Sequence, residues 1–534
     1  MLLWRAVIQK EPSLVRSAGV VGSATMASRV LGLVRDQVLA FLFGAGNQMD
    51  AFNVAFRIPS LLRDLFAEGA MSAAFVPAFT HRLVKEGRQE AWRLGNEVMN
   101  ALVLFAAAVV VAGIVAAEPL VQLFAGDFQA VPGKIALTTL LTRVLWPFLA
   151  LISVAAALMG MLNALGRFFV PALSPAMFNV ATIAGAFLVV PFMPALGLPP
   201  IMGIALAALA GGVGQVALQW VALRGEGFHY RPVLDLSDPG LKEVLAMMVP
   251  GVFGLAAVQV NLLTNTLLAT GEGTGAVSWL NYAFRVLYLP IGLVGVSIAT
   301  AALPAISLHA VDKNPDALRR TFSSAMRTML MLSVPASAGL MVLAAPIVDV
   351  LFRHGSFTQA DAAATAAAVT CYAPGLVGYS TVRLAVPTFY ALGNSRTPVV
   401  AATVSIALNA ALNVSLVRII GYRGLALGTA VASLVHAAIL LALLRHATSG
   451  LDGRRVSIAA GKIAAASILM AASVAAADSL FGNWVGETRP VAARAAVVAA
   501  DIAVGFVSLG LAAQVLRVSE FREAMTLVRS KIGV

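Results

Sequence analysis

Long apolar runs recur from Ser17 to Leu516, and most are close to twenty residues or more. A run of about 20 residues spans roughly 30 Å of hydrocarbon as a helix. Few other features constrain a fold so tightly, because a helix buried in lipid must satisfy its own backbone hydrogen bonds. Hydrophobic residues make up 60% of the 534, and charged residues only 12%. Soluble domains carry about 25% charge. The reading is an all-α polytopic membrane protein with about fourteen transmembrane helices, over residues 17–43, 50–81, 94–117, 135–163, 170–192, 200–223, 242–270, 275–308, 320–345, 361–391, 398–418, 424–444, 457–481 and 492–516. Pro59, Pro147, Pro290 and Pro387 lie inside spans and predict kinks, because proline removes a helical hydrogen bond.

Seven arginines read as intramembrane, Arg29, Arg35, Arg57, Arg63, Arg143, Arg285 and Arg383, while Arg320, Arg327, Arg418 and Arg494, towards span ends, count with the flanking loops. An arginine at a bilayer centre costs roughly 2.5–3.5 kcal/mol on the insertion scale. Facing all seven to lipid is untenable, so they are expected to line a watery or protein-walled cavity. A cationic cavity implies an anionic substrate. Guanidinium suits that task, since it stays charged and grips phosphate with two parallel hydrogen bonds. Some of this charge is expected to be paired internally. Arg29 and Asp36 are seven residues apart, as are Arg57 and Asp64, and each pair shares a helix face. Arg143 reads as packed or snorkelling.

Loop charge sets an orientation. The N-terminal segment, the even-numbered connections and the C-terminal tail hold 24 Lys and Arg, and the opposite side holds 6. The positive-inside rule then places both termini in the cytoplasm. It also accounts for the net charge of +12 without nucleic acid, because these residues border an anionic leaflet. Residues 1–19 do not read as a cleavable signal, with Arg5, Lys10, Glu11 and Arg16 interrupting them. The single cysteine, Cys371, excludes an intramolecular disulfide framework and reads as a packing residue.

The chain repeats itself at an offset of 227–228 residues. Asn53-Val54-Ala55-Phe56-Arg57 returns as Asn281-Tyr282-Ala283-Phe284-Arg285, and Pro77 as Pro304. Pro119 and Phe124 return as Pro346 and Phe352, and Ala164-Leu165-Gly166 with Pro171 as Ala391-Leu392-Gly393 with Pro398. Six spans separate the copies, so both halves run the same way across the membrane. The expected organisation is an N-terminal lobe over residues 1–231, a second lobe over 232–450, and an additional helix pair with a cytoplasmic tail over 451–534, the lobes being related by an axis along the membrane normal. Transporters built this way bind near mid-membrane at the repeat interface.

One stretch carries a resemblance. Ser28-Arg29-Val30-Leu31-Gly32-Leu33-Val34-Arg35-Asp36 is similar to the first-helix signature of the MurJ/MviN family. So are Asp50-Ala51-Phe52, Ala55-Phe56-Arg57-Ile58-Pro59, Leu61-Leu62-Arg63, Phe66-Ala67-Glu68-Gly69-Ala70 and Ala74-Phe75-Val76-Pro77, with further likeness over Gly271–Arg285 and Phe389-Tyr390-Ala391-Leu392-Gly393. The resemblance implies a lipid II flippase of the multidrug/oligosaccharidyl-lipid/polysaccharide exporter superfamily. Such a protein moves undecaprenyl-pyrophosphate-linked peptidoglycan precursor across the bacterial cytoplasmic membrane by alternating access. It implies roles for Arg29, Arg35, Asp50, Arg63 and Arg285, and Arg383 falls where the family commonly has a basic residue. Phe284 and Tyr288 stand where some relatives are acidic, and Asp64 where a second basic residue often follows Arg63.

On this reading Arg29, Arg35, Arg63 and Arg285, with Arg57 and Arg383, bind pyrophosphate. Asp36, Asp50 and Glu68 are candidate charge partners. The last two spans, nearly uncharged, offer a groove for the prenyl tail or serve as scaffold. Lipid II, membrane lipids and the cell-wall synthesis machinery are the expected partners, and no cofactor is expected. Two driving forces stand side by side. One is the membrane potential. The other is Na+, for which Asn265, Asn409, Asn413 and Thr429 are a candidate cation site; interhelical hydrogen bonding is the alternative role for these residues. The six histidines lack ligand spacing, and the acids and metal site of a membrane enzyme are missing. A flippase for another polyprenyl-pyrophosphate oligosaccharide, or a cation-drug antiporter of the same superfamily, are the alternatives. The second would want carboxylates where this chain has arginines.

Overall fold

The structure is a computed structural model that describes residues 12–65, 71–448, 450–485 and 490–522. Among the described residues there is no β-strand. The chain opens with α1 (Pro12–Phe43), α2 (Asn47–Arg63), α3 (Met71–Lys85), α4 (Arg88–Val115), α5 (Ala117–Ala125), α6 (Lys134–Leu145), α7 (Pro147–Ala164), α8 (Phe169–Leu188) and α9 (Ile201–Gly225). It then does the same again: α10 (Pro239–Thr270), α11 (Ala276–Pro290), α12 (Ser297–Val311), α13 (Pro315–Val342), α14 (Ala344–Phe352), α15 (Gln359–Tyr372), α16 (Gly375–Ala391), α17 (Arg396–Ile420) and α18 (Tyr422–Ala447). Two helices remain, α19 (Gly453–Val485) and α20 (Val491–Val515).

The repeat read from scattered motifs is thus a repeat of whole helices. α1 and α10 are each 32 residues long, α4 and α13 each 28, and α5 and α14 each 9. Their first residues, Pro12 and Pro239, Arg88 and Pro315, Ala117 and Ala344, are 227 apart in every case. Even the turn after α7 is copied. Gly166 and Gly393 both adopt φ 73°, a left-handed value that glycine takes without strain.

Helix starts follow ordinary capping chemistry. Asp238 accepts from the amides of Gly240 and Leu241 at the head of α10, Asn314 caps α13, and Thr358 with Asp361 forms a capping box on α15. Of the four prolines expected to kink their spans, two coincide with a break in regular α-helix. Pro147 opens α7, Pro59 and Pro387 lie inside α2 and α16, and after Pro290 the backbone widens into a π-helix over Ile291–Val296.

The chain divides into two compact units, Met1–Val277 and Ser278–Val534. In the first, Phe75, Phe79, Phe148, Leu94, Met161, Leu223 and Phe228 form a large buried cluster, which joins α3, α4, α7 and α9. α10, which the repeat assigns to the second lobe, packs within this unit against α3. In the second, Phe322, Met326, Met329, Phe389 and Leu440 join α13, α16 and α18. α19 and α20 pack on each other, and α19 packs on α13. Ion pairs Arg327–Glu520 and Arg494–Asp349 fasten this pair to the second unit. Small residues allow close helix contact: a Cβ on Gly378 of α16 would lie 2.5 Å from the Ser433 backbone of α18.

Among the described residues, every expected span falls on helix apart from short breaks. Ten helical runs among the described residues are long and apolar enough to cross a membrane by length and composition. The protein is a multi-pass, all-α membrane protein.

Candidate functional site

The first unit gathers four of the seven intramembrane arginines on α1 and α2. Arg35 of α1 is the most firmly held. Its Nε and Nη2 donate to Asp36 Oδ1 at 3.0 and 2.6 Å, and Nη1 donates to Asn179 Oδ1 at 3.1 Å. Asn179 belongs to α8, which packs along α1, and its amide returns a hydrogen bond to the Ser28 carbonyl at 3.0 Å. The Arg35 guanidinium also lies 5.2 Å from the centre of the Phe178 ring, within cation–π range. Phe178 stacks on Phe56 of α2 at 5.5 Å. The Ala55-Phe56-Arg57 motif therefore meets the α1 signature across one aromatic ring.

Arg63, at the end of α2, forms the same kind of fork. Its Nε and Nη2 reach Asp64 Oδ1 at 2.9 and 2.7 Å, and both side chains remain about a quarter exposed. Arg29 and Arg57 are half-buried. Asp36 is buried. Both forks join residues adjacent in sequence, an arrangement that the search for same-face pairs did not supply. Arg143 is 46% exposed, and its Nη2 lies 3.9 Å from Glu118, as a snorkelling residue would. Glu68 lies outside the described residues.

Asp50 is completely buried in α2. Its Oδ2 accepts from Lys134 Nζ at 2.9 Å and from the Gly275 amide at 2.7 Å. Lys134 opens α6 and is itself 3% exposed, with Nζ 3.9 Å from the centre of the Phe128 ring. The pair is thus desolvated, oriented and hydrogen-bonded, which is the condition under which a buried ion pair holds. Lys134 reads in the sequence as a loop residue. Only the need of a buried Asp50 for a cation could have pointed to it.

A second clasp closes the other end of this unit. Arg82, at the foot of α3, grips Asp238 with Nη1–Oδ1 at 3.1 Å and Nη2–Oδ2 at 3.0 Å. Burial alone would raise the Asp238 carboxyl. The guanidinium, with the Leu241 and Gly240 amides, outweighs burial and holds it below the ordinary aspartate range.

The second unit is chemically sparser. Arg285 of α11 is half-buried beside Phe284, whose ring meets Tyr288, Tyr372 and Tyr379. Arg383 of α16 is exposed. On α17, Asn413 Nδ2 donates to Asn409 Oδ1 at 3.1 Å, and Asn409 Nδ2 reaches Thr429 Oγ1 of α18 at 3.3 Å. The first bond lies within α17, and the second joins α17 to α18. Asn265, the fourth of the candidate cation set, lies on α10 in the first unit. Among the described residues no group of three or more His, Cys, Asp or Glu is placed to hold a metal ion.

Comparison with known proteins agrees with this arrangement. A family profile described as lipid II flippase MurJ matches residues 39–491. The probable lipid II flippase MurJ of Vibrio cholerae is 35% identical over 434 residues, covering 80% of this chain and 82% of its own length. The lipid II flippase MurJ of Burkholderia cenocepacia is 34% identical, covering 81% and 84%. A solved lipid II flippase MurJ in an inward closed conformation superposes with a TM-score of 0.75 at 25% identity, over 93% of this chain and 99% of that one. An inward-facing multidrug resistance MATE transporter of the MOP superfamily, at 16% identity and a TM-score of 0.69, covers 82% of this chain and 99% of its own and shares the fold. With a profile that spans most of its length and relatives about 35% identical over four-fifths of it, the chain belongs to the lipid II flippase MurJ family.

Proposed function

We propose that this protein carries undecaprenyl-pyrophosphate-linked peptidoglycan precursor, lipid II, from the inner to the outer leaflet of the bacterial cytoplasmic membrane by alternating access, without making or breaking a covalent bond. The observation that carries this reading is the set of arginines along α1, α2 and α11 in a chain of this family. Arg29, Arg35, Arg63 and Arg285 take the pyrophosphate, and Arg57 and Arg383 add positive potential around it. Carboxylates on the neighbouring residues hold Arg35 and Arg63 in place, so these forks are preset rather than ordered on binding. Asp50 serves as a fixed anchor for α2.

The fourteen spans read from the sequence cross the membrane, and both termini lie in the cytoplasm with the Lys- and Arg-rich loops. The prenyl tail lies along the outer face of α19 and α20. The inside-negative potential favours outward passage of an anion by about 2.3 kcal/mol per charge per 100 mV. The cell-wall synthesis machinery supplies and consumes the lipid.

The test is complementation. In a host depleted of its own lipid II flippase, this gene restores growth. Arg29→Ala, Arg63→Ala and Arg285→Ala abolish the rescue at normal membrane levels, and Arg143→Ala retains it. Equal loss of protein in all four variants would make the arginines structural. A well-expressed parent chain that gives no rescue would turn the reading towards another polyprenyl-linked glycan.

A further inference from the structure

α19 and α20 are the helices that the repeat does not produce, and each carries one aspartate within an otherwise apolar stretch, Asp478 and Asp501. Asp501 lies ten residues into α20, roughly 15 Å from its start. It is 0% exposed, and neither carboxylate oxygen has a hydrogen-bond partner among the described residues. A buried polar group left in that state calls for an explanation, because the great majority are satisfied.

The register of the pair supplies one. The helices are antiparallel, as Ala513 and Val518 share a buried cluster with Ile463 and Ala459 while Gly505 sits on Val474. A Cβ on Gly505 would come within 3.2 Å of Val474. One turn nearer the connecting segment, on the same two helix faces, this register brings Asp501 to the level of Asp478. Asp478 is half-buried.

Among the described residues, the other charges around this point are already committed or distant. Arg494, two turns earlier on α20, pairs with Asp349 of α14, which also holds Arg353. α13 offers Ala338 and Val342 at this level, and its charged residues, Asp316 to Arg327, lie in the opposite half of that helix. Two carboxylates facing each other in an apolar helix pair cannot both stay ionised without a cation. The Asn409–Asn413–Thr429 cluster is neutral and joined by hydrogen bonds, so it holds no carboxylate pair of this kind.

We propose that Asp478 and Asp501 form a proton-binding carboxyl pair on the added helices. A proton from water adds to an Oδ of Asp501, the resulting hydroxyl is shared with the Asp478 carboxylate, and the proton leaves by the same route when the pair opens. The pair's net charge then changes by one with each exchange. The site stands whichever lipid the protein carries.

Infrared spectroscopy of the full-length protein in lipid nanodiscs tests this. In Na+-free buffer at neutral pH the protein shows the C=O stretch of a protonated carboxylic acid, which fades as pH rises. Asp501→Asn removes the band. Asp478→Asn keeps it but moves the pH at which it fades, an effect that loss of packing alone does not produce. A band identical in the parent and Asp501→Asn proteins, or no band at any pH, overturns the proposal. Loss of the band on adding NaCl at constant pH overturns the proton assignment and makes the pair a sodium site.

Discussion

Asp50 and Lys134 meet at 2.9 Å with almost no exposure to solvent, so each depends on the other. Removing one partner of such a pair leaves a buried charge and costs about 3–5 kcal/mol. Asp50→Asn or Lys134→Met should therefore lower the thermal unfolding temperature in detergent substantially. The double variant should recover much of the loss; failure to recover would show that the two do not act as a pair. The Arg82–Asp238 clasp makes a different prediction. The folded state holds Asp238 below its ordinary range, so the unfolded chain binds its proton more readily. The clasp's contribution is then fully present above the ordinary aspartate value, about 3.9, and is lost as pH falls through the lower folded value. The stability gap between the parent and Asp238→Asn should stay constant from neutral pH down to about pH 4 and narrow only below it. A gap that closes by pH 6 would contradict the assignment. Neither clasp was legible in the sequence. Lys134 lies 84 residues from Asp50, and Asp238 lies 156 from Arg82, so no local period links them. The forks from Arg35 to Asp36 and from Arg63 to Asp64 were missed for the opposite reason. Adjacent residues point to different faces of an ideal helix, and only a long side chain that curls back can bring them together.

At the scale of elements the sequence was more open. Hydropathy located the helices, because a segment that satisfies its own backbone in lipid has few alternatives, and prolines marked their irregularities. The short helices α5 and α14 stayed hidden: the spans end at 117 and 345, beside the breaks at Ala116 and Leu343, and nine largely apolar residues beyond them are too few to read as a span. Helix contact offers a paired test. Gly378→Ala puts a methyl group into the Ser433 backbone and should cost about 1–3 kcal/mol by forcing α16 from α18. Gly461→Ala on α19 meets nothing within 4 Å and should stabilise by about 0.5–1 kcal/mol. Thermal unfolding of the two variants should move in opposite directions, and a shared direction would mean that helix propensity outweighs contact.

For the whole molecule, the uneven distribution of Lys and Arg, 24 against 6, is the quantity that can be checked directly. A fluorescent protein fused at the C-terminus should light up, and a phosphatase that works only outside the cytoplasm should be silent there. The same phosphatase inserted after Pro132 should be active. The reverse pattern would invert the topology. The repeat carries a further consequence. Arg29, Arg35 and Asp36 of α1 correspond, 227 residues on, to Ala256, Leu262 and Leu263 of α10, a helix of the same length. Two casts of one mould thus share their dimensions, while these three charges are written into a single cast. Transplanting those charges onto the silent copy would ask whether this asymmetry is a requirement of the cargo or only a record of which half mutated first.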